Sequence, residues 1–382
     1  LRQAGYWVEL IDCASRPSDQ NGPRGRWPKE ILPTPLPLQG LLRRYGRYGL
    51  SLAQVQHTLA SLPRKPAAFL VTSLMTYWYP GVQAAIACLR EHWPDVPVIL
   101  GGVYATLLPE HARQHSGADY VLPGPGEAAI LSCLTELTGF AAAPPSENDD
   151  LNAWPYPAFD LLADRRVLPL LLSRGCPWHC DYCASRLLEP LFRPRRPADV
   201  LRELIFWHQR LGVTEVAWYD DALLFEAESH LLPLLAEVCR RGLPLRFHTP
   251  NAIHVGLITP EVAQWLKRAN FATLRLGVET TATGPGRRDR KLQAGDLEQA
   301  LTALHAAGFQ PGEIGVYLLI GLPHQEDDEV IESIRQVRRL GAVPVLTQYS
   351  PIPNTALWAE AVQVSRYDLA ADPLFHNNSI FP

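Results

Sequence analysis

Cys176, Cys180 and Cys183 fall within eight residues, in the run Ser173-Arg-Gly-Cys-Pro-Trp-His-Cys-Asp-Tyr-Cys. They follow an apolar stretch, 167–172, so the three thiols sit on a loop leaving a buried strand. Three thiolates on one short loop can hold three irons of a 4Fe-4S cluster, whose protein ligands are cysteine sulfurs. No fourth cysteine lies nearby in the sequence, which leaves one iron open to a substrate or cofactor. A structural zinc site takes four ligands, commonly as two spaced pairs. Here only His179 offers a local fourth, on the same tight loop. Seven cysteines, an odd number spread over 382 residues, point to a reducing compartment rather than a disulfide framework. Cys13, Cys88, Cys133 and Cys239 stand in apolar stretches and read as small buried hydrophobes.

The elements that must position this loop form two halves. Residues 1–140 alternate strand-like runs (7–13, 67–73, 96–101, 120–122) with helical patterns (82–93, 107–115, 127–137). That alternation predicts an α/β fold, an open, doubly wound, Rossmann-like parallel sheet. An insertion at 15–66, rich in Pro and Arg (Arg24, Arg26, Arg43, Arg44, Arg47), is expected to form one or two short helices wrapping a sheet edge. The only methionine is Met75, and Leu1-Arg-Gln-Ala-Gly5 reads as the last turn of a helix stopped by Gly5. The expectation is a fragment or trimmed product whose sheet lacks its first strand. Residues 141–166 are rich in Pro, Ala and acid, a linker pattern.

From 167 the alternation resumes. Strands are expected at 167–173, 215–219, 245–248, 273–277, 314–320 and 344–348, and helices at 198–211, 227–240, 260–268, 297–307 and 327–340. An eight-unit barrel takes about 250 residues, so six units need about 190, which matches the span 167–360. Residues 361–382 read as a C-terminal tail. Charge is nearly balanced, 35 basic against 39 acidic residues, which argues against a field drawing the chain to nucleic acid or membrane. No apolar run reaches the roughly 18–20 residues that span a bilayer, and no signal-peptide pattern opens the chain. A cytoplasmic protein is expected.

The spacing C-x3-C-x2-C, with aromatic Tyr182 just before the third cysteine, resembles the radical S-adenosylmethionine (SAM) superfamily. The resemblance implies a partial (β/α)6 barrel whose 4Fe-4S cluster binds the amino and carboxylate groups of SAM through its open iron, with Tyr182 packing near the adenine. It also implies reductive cleavage of SAM to methionine and a 5′-deoxyadenosyl radical that removes a substrate hydrogen. A low-potential electron donor such as flavodoxin or ferredoxin is the implied partner.

Functional groups of such barrels gather at C-terminal strand ends. The second strand ends in Trp218-Tyr-Asp-Asp221, and the resemblance assigns Asp220 or Asp221 to the SAM amino group. Glu279, ending the fourth strand, takes a polar role at the ribose or methionine end. The fifth strand, through Ile320, contributes backbone groups to the adenine. Asn354 stands where relatives commonly have glycine, and asparagine tolerates the left-handed geometry such a turn needs. His248, Asn251 and His254 could face the substrate or serve the core or surface.

Upstream, the strand ends carry Thr72-Ser-Leu-Met-Thr-Tyr-Trp-Tyr, Gly101-Gly-Val-Tyr-Ala-Thr and Gly124-Pro-Gly-Glu127. Singly each could be a tight turn. Together, before a radical-SAM loop, they resemble the cobalamin (B12)-binding domain of B12-dependent radical-SAM enzymes. The resemblance places Ser73, Leu74, Thr76, Gly101, Gly102, Gly124, Gly126 and Glu127 along the cobalamin. The histidine cobalt ligand of classical B12 domains would precede Leu1, and Tyr77-Trp78-Tyr79 could occupy the lower face. Most relatives of this kind transfer a methyl group from methylcobalamin, while some carry out other rearrangements. A B12 domain that no longer holds cobalamin, and a non-catalytic iron–sulfur or zinc protein, remain alternatives. No motif names the substrate.

Overall fold

A computed structural model describes residues 1–15, 29–140, 150–282, 284 and 287–381. The chain divides into two compact units, Leu1–Glu147 with Leu161–Asp164 and Tyr367–Asn377, and Asn148–Asp160 with Arg165–Arg366 and Asn378–Pro382. Arg24, Arg26 and the start of the proposed linker, 141–149, lie outside the described residues.

In the first unit three parallel strands, β1 (Phe69–Ser73), β2 (Val98–Gly101) and β3 (Tyr120–Val121), pair in the order β1-β2-β3. Strand side chains alternate between faces, and both faces are covered by helices. Val98 and Leu100 pack with Val82 and Ile86 of the helix Tyr79–His92 and with Tyr104, Ala105 and Ala112. Ile99, between them, turns to Cys133 and Leu134 of the helix Gly126–Thr138. Each such side chain contributes about 1.5–3 kcal/mol when fully buried. This is the doubly wound arrangement expected.

Several local expectations change. Residues 7–13 form no strand, since no ladder among the described residues pairs them, and Trp7 is instead 63% exposed beneath the Arg64 guanidinium. Cys13 is correspondingly exposed and Cys239 only half-buried, whereas Cys88 and Cys133 are buried as expected. Gly5, at φ +94, does close a helix-type turn, with Tyr6 N donating to Leu1 O and Gly5 N to Arg2 O. The insertion holds the helix Leu52–Ala60, capped by Ser51, but also an antiparallel ladder, Lys29–Ile31 with Gly46–Tyr48, that its Pro-rich composition hid. A short helix, Gly102–Leu107, was also unforeseen.

The end of the chain is not a separate tail. Tyr367–Asn377 belongs to the first unit, where His376 Nδ1 meets Thr76 Oγ1 at 3.0 Å and Nε2 meets Leu369 O at 2.9 Å. Tyr79 OH donates to the Asp372 carboxylate at 3.0 Å. Burial drives the His376 pKa down to about 4, so the folded ring stays neutral while the unfolded one protonates near its ordinary 6.5. Stability is therefore full above about pH 6.5 and falls as pH drops toward 4, by roughly 3 kcal/mol in the limit. Thermal melts of wild type and His376→Gln should differ most at pH 7 and converge by pH 4.

In the second unit six parallel strands form the main path of one open seven-stranded sheet: β4 (Val167–Leu170), β5 (Glu215–Trp218), β6 (Arg246–His248), β7 (Phe271–Glu279), β8 (Ile314–Ile320) and β9 (Val343–Gln348), with the two-residue strand Ile253–His254 pairing with β7 off this path. They pair in that order, and β4 and β9 form its edges. Alternate residues Leu168, Leu170, Val216, Trp218, Phe247, Leu274, Leu276, Val316 and Leu318 are buried. Amphipathic helices follow the strands: Pro197–Leu211, Leu231–Arg240, Pro260–Arg268, Asp296–Ala306, Asp327–Arg339 and Trp358–Val364. This is the open six-unit barrel expected from the sequence. The supposed linker is partly core: Leu151 and Phe159 are buried, Phe159 edge-on to Trp207 at 5.3 Å.

Candidate metal centre

The three cysteines leave the C-terminal end of β4, and the chain around them is tightly held. Gly175 takes φ +80, and a Cβ there would sit 2.2 Å from Leu191 O, so only glycine fits this close approach. Asp220, 2% exposed, accepts from Leu172 N, Ser173 N and Ser173 Oγ at 3.0, 2.5 and 2.6 Å. Both its oxygens are used, since Leu172 N also lies 3.1 Å from the second. The Asp220 carboxylate thus fixes the root of the cysteine loop. Burial raises its pKa to about 6 against these hydrogen bonds. Asp221 is less committed, its pKa also raised by burial and opposed by Ser185.

The loop's far side is strapped by residues following β7. Asp181 N donates to Arg288 O at 2.8 Å, and Leu357 N donates to Asp181 O at 2.9 Å. Arg290 pairs with the Asp181 carboxylate at 3.3 Å. The strap is anchored by Arg287, 7% exposed, which forks onto Asp289 and donates to the Val278, Thr280 and Ala282 carbonyls at 2.6–2.9 Å. Five bonds on one buried guanidinium fix this segment to the end of β7.

At that same strand end Glu279 adopts φ +66 and pairs with Lys291 Nζ at 3.2 Å. A Cβ on Gly277 would crowd Ala252 at 3.2 Å and come within 3.6 Å of Lys291 Nζ, so the bare backbone keeps this corner open. Burial alone would lower the Lys291 ammonium, but Glu279, Cys180 and Asp289 outweigh it and hold its pKa above the ordinary value. His254 stacks on Trp178 of the cysteine loop with ring centres 3.7 Å apart. Burial, with Lys291 nearby, pushes its pKa down to about 3, and its buried Nε2 has no protein partner. Tyr182 OH is also buried, beside the Cys180 thiol, with which it interacts. Ile320 O accepts from Tyr349 N at 2.8 Å, and Asn354 takes φ +68, the left-handed turn expected of it.

The thiols fit a cluster better than a single ion. Among the described residues no group of three His, Cys, Asp or Glu side chains converges as one metal ion requires. In a cluster each cysteine takes its own iron. Ser185 N donates to Cys183 Sγ at 3.4 Å, and the Trp178 backbone N–H does the same for Cys176, as thiolate ligands need. Burial pushes the Cys180 thiol up to about 12, and its Sγ lies 3.4 Å from Asp289 O. Metal loading must therefore release protons.

In the first unit the proposed cobalamin residues differ among themselves. A Cβ on Gly102, at φ +85, would lie 2.3 Å from Thr72 Oγ1, so this glycine is fixed by the packing of β1 on β2. Thr76 is buried with its hydroxyl on His376, and Ser73 Oγ donates to Met75 O at 3.1 Å. Both are used by the fold. Leu74 is 62% exposed, and Cβ atoms on Gly124 and Gly126 would meet nothing within 4 Å. A Cβ on Gly101 would touch only Leu122 O at 3.8 Å, and Glu127 lies in the first turn of the helix Gly126–Thr138.

Residues 170–337 match the family model described as the radical SAM superfamily, and this part of the chain is a radical SAM domain. That family implies a 4Fe-4S cluster and SAM. It is similar to an uncharacterized methyltransferase of Synechocystis sp., 26% identical over 279 residues, covering 68% of this chain and 50% of the relative. It is also similar to the hopanoid C-3 methylase of Methylococcus capsulatus, 24% identical, covering 73% and 58%. Among solved structures it shares its fold with the radical SAM methyltransferase TsrM from Kitasatospora setae, at a TM-score of 0.67 and 17% identity, covering 82% and 67%. The cobalamin-dependent radical enzyme OxsB gives 0.59 and 15%, covering 82% and 49%. The chain thus spans only half to under two-thirds of the length of these curated relatives. No helix among the described residues is long and apolar enough to cross a membrane.

Sequence reasoning located the cysteines, Tyr182 and Glu279 but missed Lys291, the Trp178–His254 stack and the Arg287 strap. The run of four cations among residues 287–291, soon after Glu279, was the available signal.

Proposed function

We propose that this chain is part of a cobalamin-dependent radical SAM methyltransferase. The observation that carries the reading is the cysteine loop at the end of the first strand of an open parallel barrel, with backbone N–H groups aimed at two of its sulfurs. The named methyltransferases among its relatives support methyl transfer. The fold shared with TsrM and OxsB supports a cobalamin-bearing first unit. When bound, the cluster and SAM supply a carbon-centred radical and cobalamin a transferable methyl group.

The chain's own residues bind and orient. Cys176, Cys180 and Cys183 hold three irons, and Asp220 fixes their loop rather than touching SAM. Asp221, Glu279 and Lys291 are the charged groups left to meet the methionine end of SAM, its amino group on the carboxylates and its carboxylate on Lys291. His254, kept neutral, offers a buried polar atom still lacking a partner. In the first unit the open turn Gly124–Gly126 and exposed Leu74 are the positions free to approach cobalamin; Ser73, Thr76 and Gly102 support them from behind.

Anaerobic reconstitution tests the reading. About four irons per chain and cleavage of SAM to 5′-deoxyadenosine under a low-potential reductant are expected. A chain that takes up iron but leaves SAM intact would sink the enzymatic part. Failure to retain hydroxocobalamin on gel filtration, with SAM cleavage intact, would remove only the cobalamin part.

A further inference from the structure

The whole chain is slightly acidic, at net −4, yet the segments that build and strap the cysteine loop, 174–196 and 287–291, carry nine Arg and Lys against three acids. Asp181 lies beneath its cation. Asp181 is 14% exposed and Glu189 21%, whereas Arg290, paired with Asp181, is 70% exposed. Arg186 stands exposed immediately after the Ser185 that holds Cys183, an exposed thiol, so a positive face begins at the cluster ligand itself. The same segment also exposes apolar side chains. Leu187 and Leu191 are 41% and 67% exposed, and Leu191 is fixed against the loop by its carbonyl packing on Gly175.

Exposed cationic and apolar side chains beside a metal ligand suit brief docking of an acidic protein: steering by charge raises the encounter rate, while a small apolar contact lets the partner leave. Weak redox encounters of this kind bury little area. We infer that Arg186, Leu187, Leu191 and Arg290 form the docking surface for an acidic, low-potential one-electron donor protein. The inference rests on the radical SAM reading above. One electron leaves the donor, a flavin hydroquinone becoming the semiquinone, and enters the cluster, which passes from its 2+ to its 1+ state. No bond forms and no proton is required at the cluster.

The test uses the full chain carrying its reconstituted cluster. Bleaching of the cluster is followed by stopped flow with hydroquinone flavodoxin as donor and, separately, with dithionite. For wild type the bimolecular rate with flavodoxin should fall at least tenfold between about 20 mM and 500 mM salt, since screening shortens the reach of charge to a few ångströms. Arg186→Glu should lose a similar factor at low salt, and Leu191→Gln a smaller, salt-independent one. Dithionite reduction, being indifferent to a protein-docking face, should be unchanged in both variants. A flavodoxin rate insensitive to salt and to Arg186→Glu, in a protein whose cluster dithionite still reduces, overturns the docking surface and leaves the enzymatic reading intact. Wild type without a cluster overturns the reading on which it rests.

Discussion

Cys180→Ala is expected to abolish radical generation while leaving the fold in place. The Cys180 thiol makes only weak contacts, with Asp289 O and the Tyr182 hydroxyl, and a neutral hydrogen bond is worth only about 0.5–1.5 kcal/mol net. Cysteine to alanine keeps the loop's backbone geometry, including the Asp181–Arg288 and Asp181–Leu357 bonds on either side. The sulfur is irreplaceable only as a metal ligand. Iron content after reconstitution should drop well below four per chain, 5′-deoxyadenosine formation should fall to background, and the far-ultraviolet circular dichroism should match wild type. A variant that still cleaves SAM at the wild-type rate would exclude Cys180 from the cluster.

Asp220→Ala should instead cost stability first and chemistry as a consequence. Removing the carboxylate strands three buried donors: Leu172 N, Ser173 N and the Ser173 hydroxyl. Each unsatisfied donor costs about 1–3 kcal/mol. A total of roughly 3–9 kcal/mol is a large share of the 5–15 kcal/mol that holds a typical domain. Urea denaturation followed by tryptophan fluorescence should show it, with Asp220→Asn intermediate because its amide nitrogen faces N–H groups that need an acceptor. If Asp220→Ala unfolds like wild type and only SAM affinity falls, the carboxylate serves the ligand and its role at the loop root is lost.

These two residues also show what local sequence reveals. The cysteines are legible because their chemistry depends on spacing within one loop. The barrel strands are legible because each is a short apolar run followed by an amphipathic helix, as at Ile314–Ile320 and Asp327–Arg339. Asp220 was placed correctly, at a strand end beside the cysteine loop, but not its task. Its partners lie 47 and 48 residues back in the chain, and no periodicity reports such a pairing. The Arg287 strap was hidden for the same reason: a guanidinium that satisfies three carbonyls has the same sequence signature as one in solvent. Residues 7–13 misled in the opposite direction. They have strand composition, but strands are made by neighbours, and this segment has no ladder partner among the described residues.

Gly126 opens a thirteen-residue helix with ordinary backbone angles and nothing within 4 Å of where a Cβ would stand. Neither sterics nor dihedral geometry requires glycine there. Alanine would restrict the unfolded chain and favour the helix by about 0.4–1 kcal/mol. The chain therefore forgoes stability at a position where the fold asks for nothing in return. Heritable variation would erode such a residue quickly if folding were all it served, so its persistence among natural homologues, or its replacement by alanine, separates a lineage that still uses this turn from one that has abandoned it.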